Sequence, residues 1–205
     1  MMLPSHVFSG MILALPLVVV APEFATVGLV AGFLGGLFPD LDLYAGHRKT
    51  LHYPVYYSVL AAGAVLVALL VPSPTTIAVT FFLLGAAVHC VADIFGGGLE
   101  LRPWEGTSER AVYDHFHGRW IPPRRVIRYD GALEDLLLST VLAVPLFVLV
   151  DGPLRFVVIG TLLVGCTYTV LRRRLATVAT VLVRFLPAAV VPYLPSRYVV
   201  DDRVR

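Results

Sequence analysis

Between Phe38 and His52 the chain reads F-P-D-L-D-L-Y-A-G-H-R-K-T-L-H, which places two carboxylates, Asp40 and Asp42, and two imidazoles, His47 and His52, within thirteen residues. Carboxylate oxygens and imidazole nitrogens at this density are the donors a divalent transition metal takes. Two other places carry complementary groups: His6, and the pair His89 and Asp93, whose i, i+4 spacing puts both on one helix face. Taken singly, each has an ordinary explanation. An Asp after Pro caps a turn, a His beside Arg48 and Lys49 suits a membrane surface, and a His–Asp pair ties helices together. Taken together, His6, Asp40, Asp42, His47, His52, His89 and Asp93 are the expected ligands of a metal centre. Asp40 or Asp42 is the expected group that orients a water or takes its proton.

The elements that must position these groups are apolar. The 205 residues are 58% hydrophobic and 15% charged, against about 25% charged in soluble domains, and the mean hydropathy is +0.81. This composition predicts a single all-α, polytopic membrane domain over residues 1–195, with about six transmembrane helices. The spans are expected at 7–21, 24–38, 53–71, 76–95, 136–150 and 154–171, the last stopped by Arg172-Arg173-Arg174. Residues 175–195, interrupted by Arg184 and three prolines, read as an interfacial helix, and 196–205 as a mobile tail. The first apolar stretch has no basic residue before it and reads as a retained helix, not a secretory leader. Gly28, Gly32 and Gly36 repeat G-x-x-x-G, a stripe that lets helix backbones approach closely. Cys90 and Cys166 read as small apolar residues.

Basic residues set an orientation. Arg48, Lys49, six arginines between 102 and 128, and the Arg172 triplet fall on one side; the other holds only Glu23, Asp151 and Arg155. The positive-inside rule makes the first side cytoplasmic, with both termini there, in a multi-pass cell-membrane protein. All seven candidate ligands land on that same side. A net charge of +2 gives no case for nucleic-acid binding. The segment 99–132 mixes arginine with Trp104, Tyr113, Trp120 and Tyr129 and suits a cytoplasmic interfacial loop at lipid headgroups. Arg102, Arg110 and Arg119 there, with Arg48, are the expected contacts to a substrate phosphate. Asp114, His115 and His117 could add ligands, and Arg124 and Arg125 read as topology signals.

His6, G-x-x-P-D-x-D at Gly36–Asp42, H-R-x-x-x-H at His47–His52 and H-x-x-x-D at His89–Asp93 resemble the YdjM-like integral-membrane metal-dependent hydrolases, a LexA-regulated inner-membrane family. The likeness covers residues 1–100. That family is in turn distantly similar to zinc-dependent phospholipases C. The resemblance implies a hydrolase acting on a phosphoester in or near membrane lipid. Its zinc would be held by His6, Asp40 or Asp42, His52, His89 and Asp93, with His47 matching the membrane family's motif. The soluble enzymes' free N-terminal Trp and later His-x-x-x-Glu are absent, so one or two ions are expected, not three. A cation or proton transporter could use the same groups, but transport sites lie near the midplane on broken helices. A third reading is a scaffold whose polar cluster only ties helices together.

Overall fold

The computed structural model describes residues 1–43, 46–187 and 189–198. Helix dominates, at 68% of the chain. In order come α1 (Leu3–Ala14), α2 (Leu17–Val20), α3 (Pro22–Leu37), α4 (Pro54–Leu70), α5 (Pro74–Ile94), α6 (Leu133–Leu149) and α7 (Pro153–Arg184). Proline sits in the first turn of α1, α3, α4, α5 and α7, where its missing N–H costs nothing and its fixed φ favours helix. Pro16 acts differently: following α1 directly, it has no N–H for the ladder, and the helix breaks there before resuming as α2.

Four helical stretches are long and apolar enough to cross a membrane: Leu3–Val20, Pro22–Asp42, Pro74–Ile94 and Pro153–Arg184. α4 and α6, at 17 residues each, lie at the lower end of the roughly 17–25 residues a span takes. The outward surfaces are apolar; Leu66, Leu69, Leu70, Leu137, Phe156 and Val170 are all exposed.

α1, α3 and α5 form the centre, with α4 against α5, and α6 and α7 against α1. The glycine stripe is the reason they pack so closely. Gly10 of α1 and Gly32 of α3 face each other's carbonyls with no room for a side chain. A Cβ on Gly85 of α5 would come within 2.7 Å of the Gly32 carbonyl oxygen, and one on Gly36 within 2.8 Å of Val7 Cα. These crossings bring the N-terminal turn of α1, the C-terminal turn of α3 and the last turns of α5 to one end of the bundle. An apolar core of Phe8, Met11, Leu29, Leu146 and Val158 lies below.

Two features depart from the expectation. The Arg172 triplet does not end its helix: α7 runs on to Arg184, about 48 Å at 1.5 Å per residue. Arginine is a good helix former, and no Gly or Pro occurs between 166 and 186 to stop it. The expected interfacial helix at 175–195 is therefore the continuation of α7, followed by short 3₁₀ turns at Val191–Tyr193 and Ser196–Tyr198. Of the expected mobile tail, 199–205 lie outside the described residues. The segment 99–132 is also more ordered than an interfacial loop. It holds a hairpin, β1 (Val112–Asp114) and β2 (Arg119–Ile121), paired Val112 to Ile121. It also caps α5: the backbone N–H groups of Arg124, Arg125 and Ile127 donate to the carbonyls of Ile94, Gly96 and Phe95.

Candidate metal centre

After Pro39 the chain tightens into a 3₁₀ turn, Phe38–Asp42, that aims Asp40 and Asp42 in different directions. Asp42 is fully buried and turns back into its own loop. Its Oδ1 lies 3.0 Å from His47 Nδ1 and accepts from the Arg48 backbone N–H; its Oδ2 lies 3.0 Å from His52 Nδ1 and accepts from the Leu51 N–H. A carboxylate can only accept here, so the proton on His52 resides at Nδ1 and its Nε2 is left facing inward. His89 is fixed the same way: its Nδ1 donates to the Gly36 carbonyl at 2.6 Å, leaving Nε2 free.

The two Nε2 atoms point at each other, 3.2 Å apart. Asp93 Oδ2 lies 3.4 Å from His52 Nε2 and 3.5 Å from His89 Nε2, and Asp40 Oδ1 lies 3.5 Å from His89 Nε2. Asp40, His52, His89 and Asp93 thus bring four lone-pair atoms within 4.8 Å of one another. Both Nδ1 atoms are thus committed outside this space, and Asp93 Oδ2 has no hydrogen-bond partner among the described residues. Lone pairs held together away from water repel unless a cation lies among them. Four of the six separations, at 3.2–3.5 Å, lie close to the roughly 3.3–3.6 Å edges of a tetrahedron with ~2.0–2.2 Å bonds, and two imidazoles with two carboxylates form a donor set a divalent metal takes. His52, His89 and Asp93 are buried, while Asp40 is 23% exposed.

Other expected ligands stand beside this group. His6 is buried, stacks on the His89 ring at 3.7 Å and brings its Nε2 to 3.2 Å from Asp93 Oδ1; neither of its ring nitrogens makes a hydrogen bond among the described residues. Asp42 and His47 lie outside the four-ligand group. Asp42 orients the loop, a second sphere whose loss typically weakens metal binding 10–100-fold. Burial lowers the His47 pKa against the opposing pull of Asp42. Asp42→Asn should accordingly weaken binding of an added divalent metal by about 10–100-fold without abolishing it; competition with a chromophoric chelator would measure it, and complete loss of metal binding would make Asp42 a ligand instead.

Among the four arginines expected at a phosphate, Arg48 alone reaches the site. It is buried, donates through Nη1 to the Gly97 carbonyl at 2.7 Å and holds Asp93 Oδ1 through Nη2 at 3.1 Å. The Met1 ammonium donates to the same Oδ1 at 2.6 Å. Arg102 pairs with Glu105, Arg110 lies over the Trp120 ring, and Arg119 sits on β2 across from Asp114. Arg102 and Arg110 are thereby held to their own loop, while Arg119 is exposed on the hairpin. A cavity of about 710 Å³ beside the metal group is lined instead by Asp40, His47, Arg48, Glu100, Asp130, Tyr168, Arg172 and Arg197, with apolar residues around them.

Asp114, His115 and His117 add no ligand to the group. Asp114 closes the hairpin turn by accepting from the Phe116 and His117 N–H groups and from His117 Nδ1. His115 Nε2 donates to the Lys49 carbonyl and its ring stacks on Tyr53, while the Tyr113 N–H donates to the Arg48 carbonyl. The hairpin thus clamps the loop that carries His47 and His52. Two polar ties were not foreseen. Asp135 of α6 accepts from the Met2 and Gly131 N–H groups and from Ser5, itself bonded to Ser139, and so anchors the turn bearing His6. Asp130 accepts from Arg172 Nε at 2.8 Å and from Tyr168, with Arg172 lying over Trp104. An i+4 spacing of Asp135 and Ser139 was the only available sign of the first; nothing local pairs Asp130 with Arg172.

Burial alone would raise the Asp130 pKa, but Arg172 and Tyr168 outweigh it and hold the carboxyl below the usual carboxylate range. A depressed folded-state pKa gives stability that is present above the unfolded value of ~3.9 and lost as pH falls through the folded value. Trp104 emission, followed in a Trp120→Phe background, should therefore stay constant from pH 8 to about 5 and shift only below about 4. Asp130→Asn should show the shifted spectrum already at pH 7. No family model, curated protein or solved structure matches this chain.

Proposed function

We propose that the protein is a membrane-embedded, metal-dependent hydrolase acting on a phosphoester in or near the bilayer. The observation that carries this reading is the convergence of His52 Nε2, His89 Nε2, Asp93 Oδ2 and Asp40 Oδ1 at tetrahedral spacings beside a cavity with arginine in its wall. With α4 and α6 counted as short spans, six crossings and the positive-inside rule support a cytoplasmic cavity with both termini on that side. The likeness of the His6, Pro-Asp-x-Asp, His-Arg-x-x-x-His and His-x-x-x-Asp elements to the YdjM-like hydrolases points the same way.

A divalent ion, most simply a single zinc, would be held by His52, His89 and Asp93 with Asp40 at the open edge, and would supply a hydroxide-strength nucleophile at neutral pH. The chain's own groups divide the remaining work. Asp42 and the Gly36 carbonyl fix the imidazole tautomers. Arg48 holds Asp93 Oδ1, which keeps Oδ2 turned inward. Asp40, partly exposed and on the cavity wall, receives the proton released as water attacks phosphorus and can return it to the departing alkoxide. The location at one end of the bundle favours hydrolysis over transport, which needs a site reachable from both faces.

The test is direct. Purified protein should contain about one zinc per chain and should cleave a bis(nitrophenyl) phosphate; a chelator should abolish the cleavage and added zinc should restore it. Cleavage that persists after complete removal of metal would refute the reading.

A further inference from the structure

Six rings form an unbroken row from the tip of the hairpin, over the start of α4, to β2. Phe116, in the tip, lies 6.5 Å from Tyr56 in the first turn of α4. From Tyr56 the row continues through Tyr53, His115 and Tyr113 to Trp120, with ring centroids 6.2, 4.4, 4.9 and 5.4 Å apart. Two cations rest on it: Lys49 Nζ is 4.5 Å from the centre of the Tyr113 ring, and the Arg110 guanidinium 5.7 Å from that of Trp120. The nearby carboxylates Glu105, Glu109 and Glu134 are taken by Arg102, Arg125 and Arg128. Lys49 and Arg110 are exposed and have no carboxylate partner among the described residues.

As a short span of 17 residues, α4 reaches across a bilayer only if it begins at the membrane boundary. Val59 and Leu60, one turn beyond Tyr56, are exposed and apolar, which makes this side of α4 the one that faces lipid. Tyr56 and Phe116 are exposed beside each other and continue that side upward. Rings with cations over them suit the headgroup layer, and unpaired Lys and Arg there draw anionic lipid. The row is also bonded to the loop that carries His47 and His52. The Tyr113 N–H donates to the Arg48 carbonyl at 2.9 Å, and His115 Nε2 to the Lys49 carbonyl at 2.6 Å. Arg48 has a φ of 59°, a left-handed conformation that a residue with a Cβ keeps only where its surroundings hold it. Its N–H goes to Asp42 Oδ1, whose other oxygen orients His52. A hairpin that lifts away releases the Arg48 carbonyl, lets that residue relax, and takes its N–H from Asp42.

We propose that the hairpin is a membrane-seated clamp: Phe116 and Tyr56 enter the lipid interface, Lys49 and Arg110 meet anionic headgroups, and this seating holds Arg48 left-handed and the His47–His52 loop in order. The partner is the anionic lipid surface, met as a surface and not as a substrate. An acidic protein would offer the same charge, but the Phe116–Tyr56 end of the row is continuous with the lipid-facing side of α4 and favours the bilayer. The seat is independent of the hydrolase reading; only the use made of the ordered loop, which ends in His52 of the metal group, rests on it. Lipid composition then sets how firmly His52 is held.

Hydrogen exchange in residues 46–52 tests the clamp without metal or activity. In nanodiscs of phosphatidylcholine with about 30% phosphatidylglycerol, that segment should exchange about tenfold more slowly than in phosphatidylcholine alone, an effect that two basic residues at an anionic surface can supply. Residues 103–109, on the same side, serve as the reference for local pH. Lys49→Gln with Arg110→Gln, at exposed positions, should remove most of the difference, and Phe116→Ser should reduce it. Phe116→Trp, with Trp104→Phe and Trp120→Phe, should be quenched by lipids brominated near the headgroup end of their chains. An indole there that stays unquenched would leave the tip in water, open to a protein partner, and would overturn the proposal. So would equal exchange in the two discs, or a difference that survives both the double substitution and Phe116→Ser. The tenfold difference in protein that cleaves no phosphoester would support the clamp and count only against the hydrolase.

Discussion

Zinc bound by the purified protein should fall from about one ion per chain to below about a tenth when His89 is replaced by alanine, and hydrolysis should fall to background with it. His89 contributes one of the two imidazole Nε2 atoms, 3.2 Å from that of His52, and no other described side chain can take its place at the Gly36 carbonyl. The substitution also leaves that carbonyl without its donor, a loss of ~1–3 kcal/mol that would lower stability by itself. A second readout separates the two effects. Zinc that binds only the folded state stabilises it by about 4.1 kcal/mol at a thousandfold excess over Kd, so the unfolding midpoint of the wild type should rise with zinc. His89→Ala should show no zinc-dependent rise whatever its starting midpoint. His117→Ala, in the hairpin tip and bonded to Asp114, should keep both zinc and the rise. A wild type whose midpoint ignores zinc would mean that a proton on one imidazole, not a metal, fills the space among the four ligands.

His89 and Asp93 could be read as a pair from their i, i+4 spacing, and their meeting with His52 could be expected from the crowding of polar groups at one end of otherwise apolar segments. The glycine stripe was equally legible, because only backbone contact explains three small residues at four-residue intervals in a helix bound for lipid. Division of labour between Asp40 and Asp42 was not legible. The two stand one residue apart in the same turn, and only the 3₁₀ geometry of Phe38–Asp42 sends one toward His89 and the other toward His47 and His52. The placement of the arginines was not legible for a related reason. Composition marks a segment as basic but does not reveal which guanidinium finds a local carboxylate or ring, as Arg102 and Arg110 do. Arg172 and Arg197, which line the cavity, lie in stretches that read as a stop signal and a tail. The continuity of α7 through its arginine triplet was hidden because charge ends a membrane span without ending a helix.

Asp40→Asn should reduce kcat by about 10²–10⁴-fold with little change in KM, the range expected when a positioned proton acceptor is removed. Asp40 differs from the other three residues of the group. His52, His89 and Asp93 are buried and each is held by further groups, whereas Asp40 is partly exposed, faces the cavity and approaches only His89 Nε2 and, at 3.9 Å, His47 Nδ1. Asparagine keeps the shape and one oxygen donor but cannot accept a proton, so zinc content should remain near one ion per chain. If Asp40 served only to hold the ion, the outcome would differ: zinc would bind more weakly and excess zinc would restore the rate. Rate and metal content measured on the same preparations across added zinc therefore assign Asp40 to one role or the other.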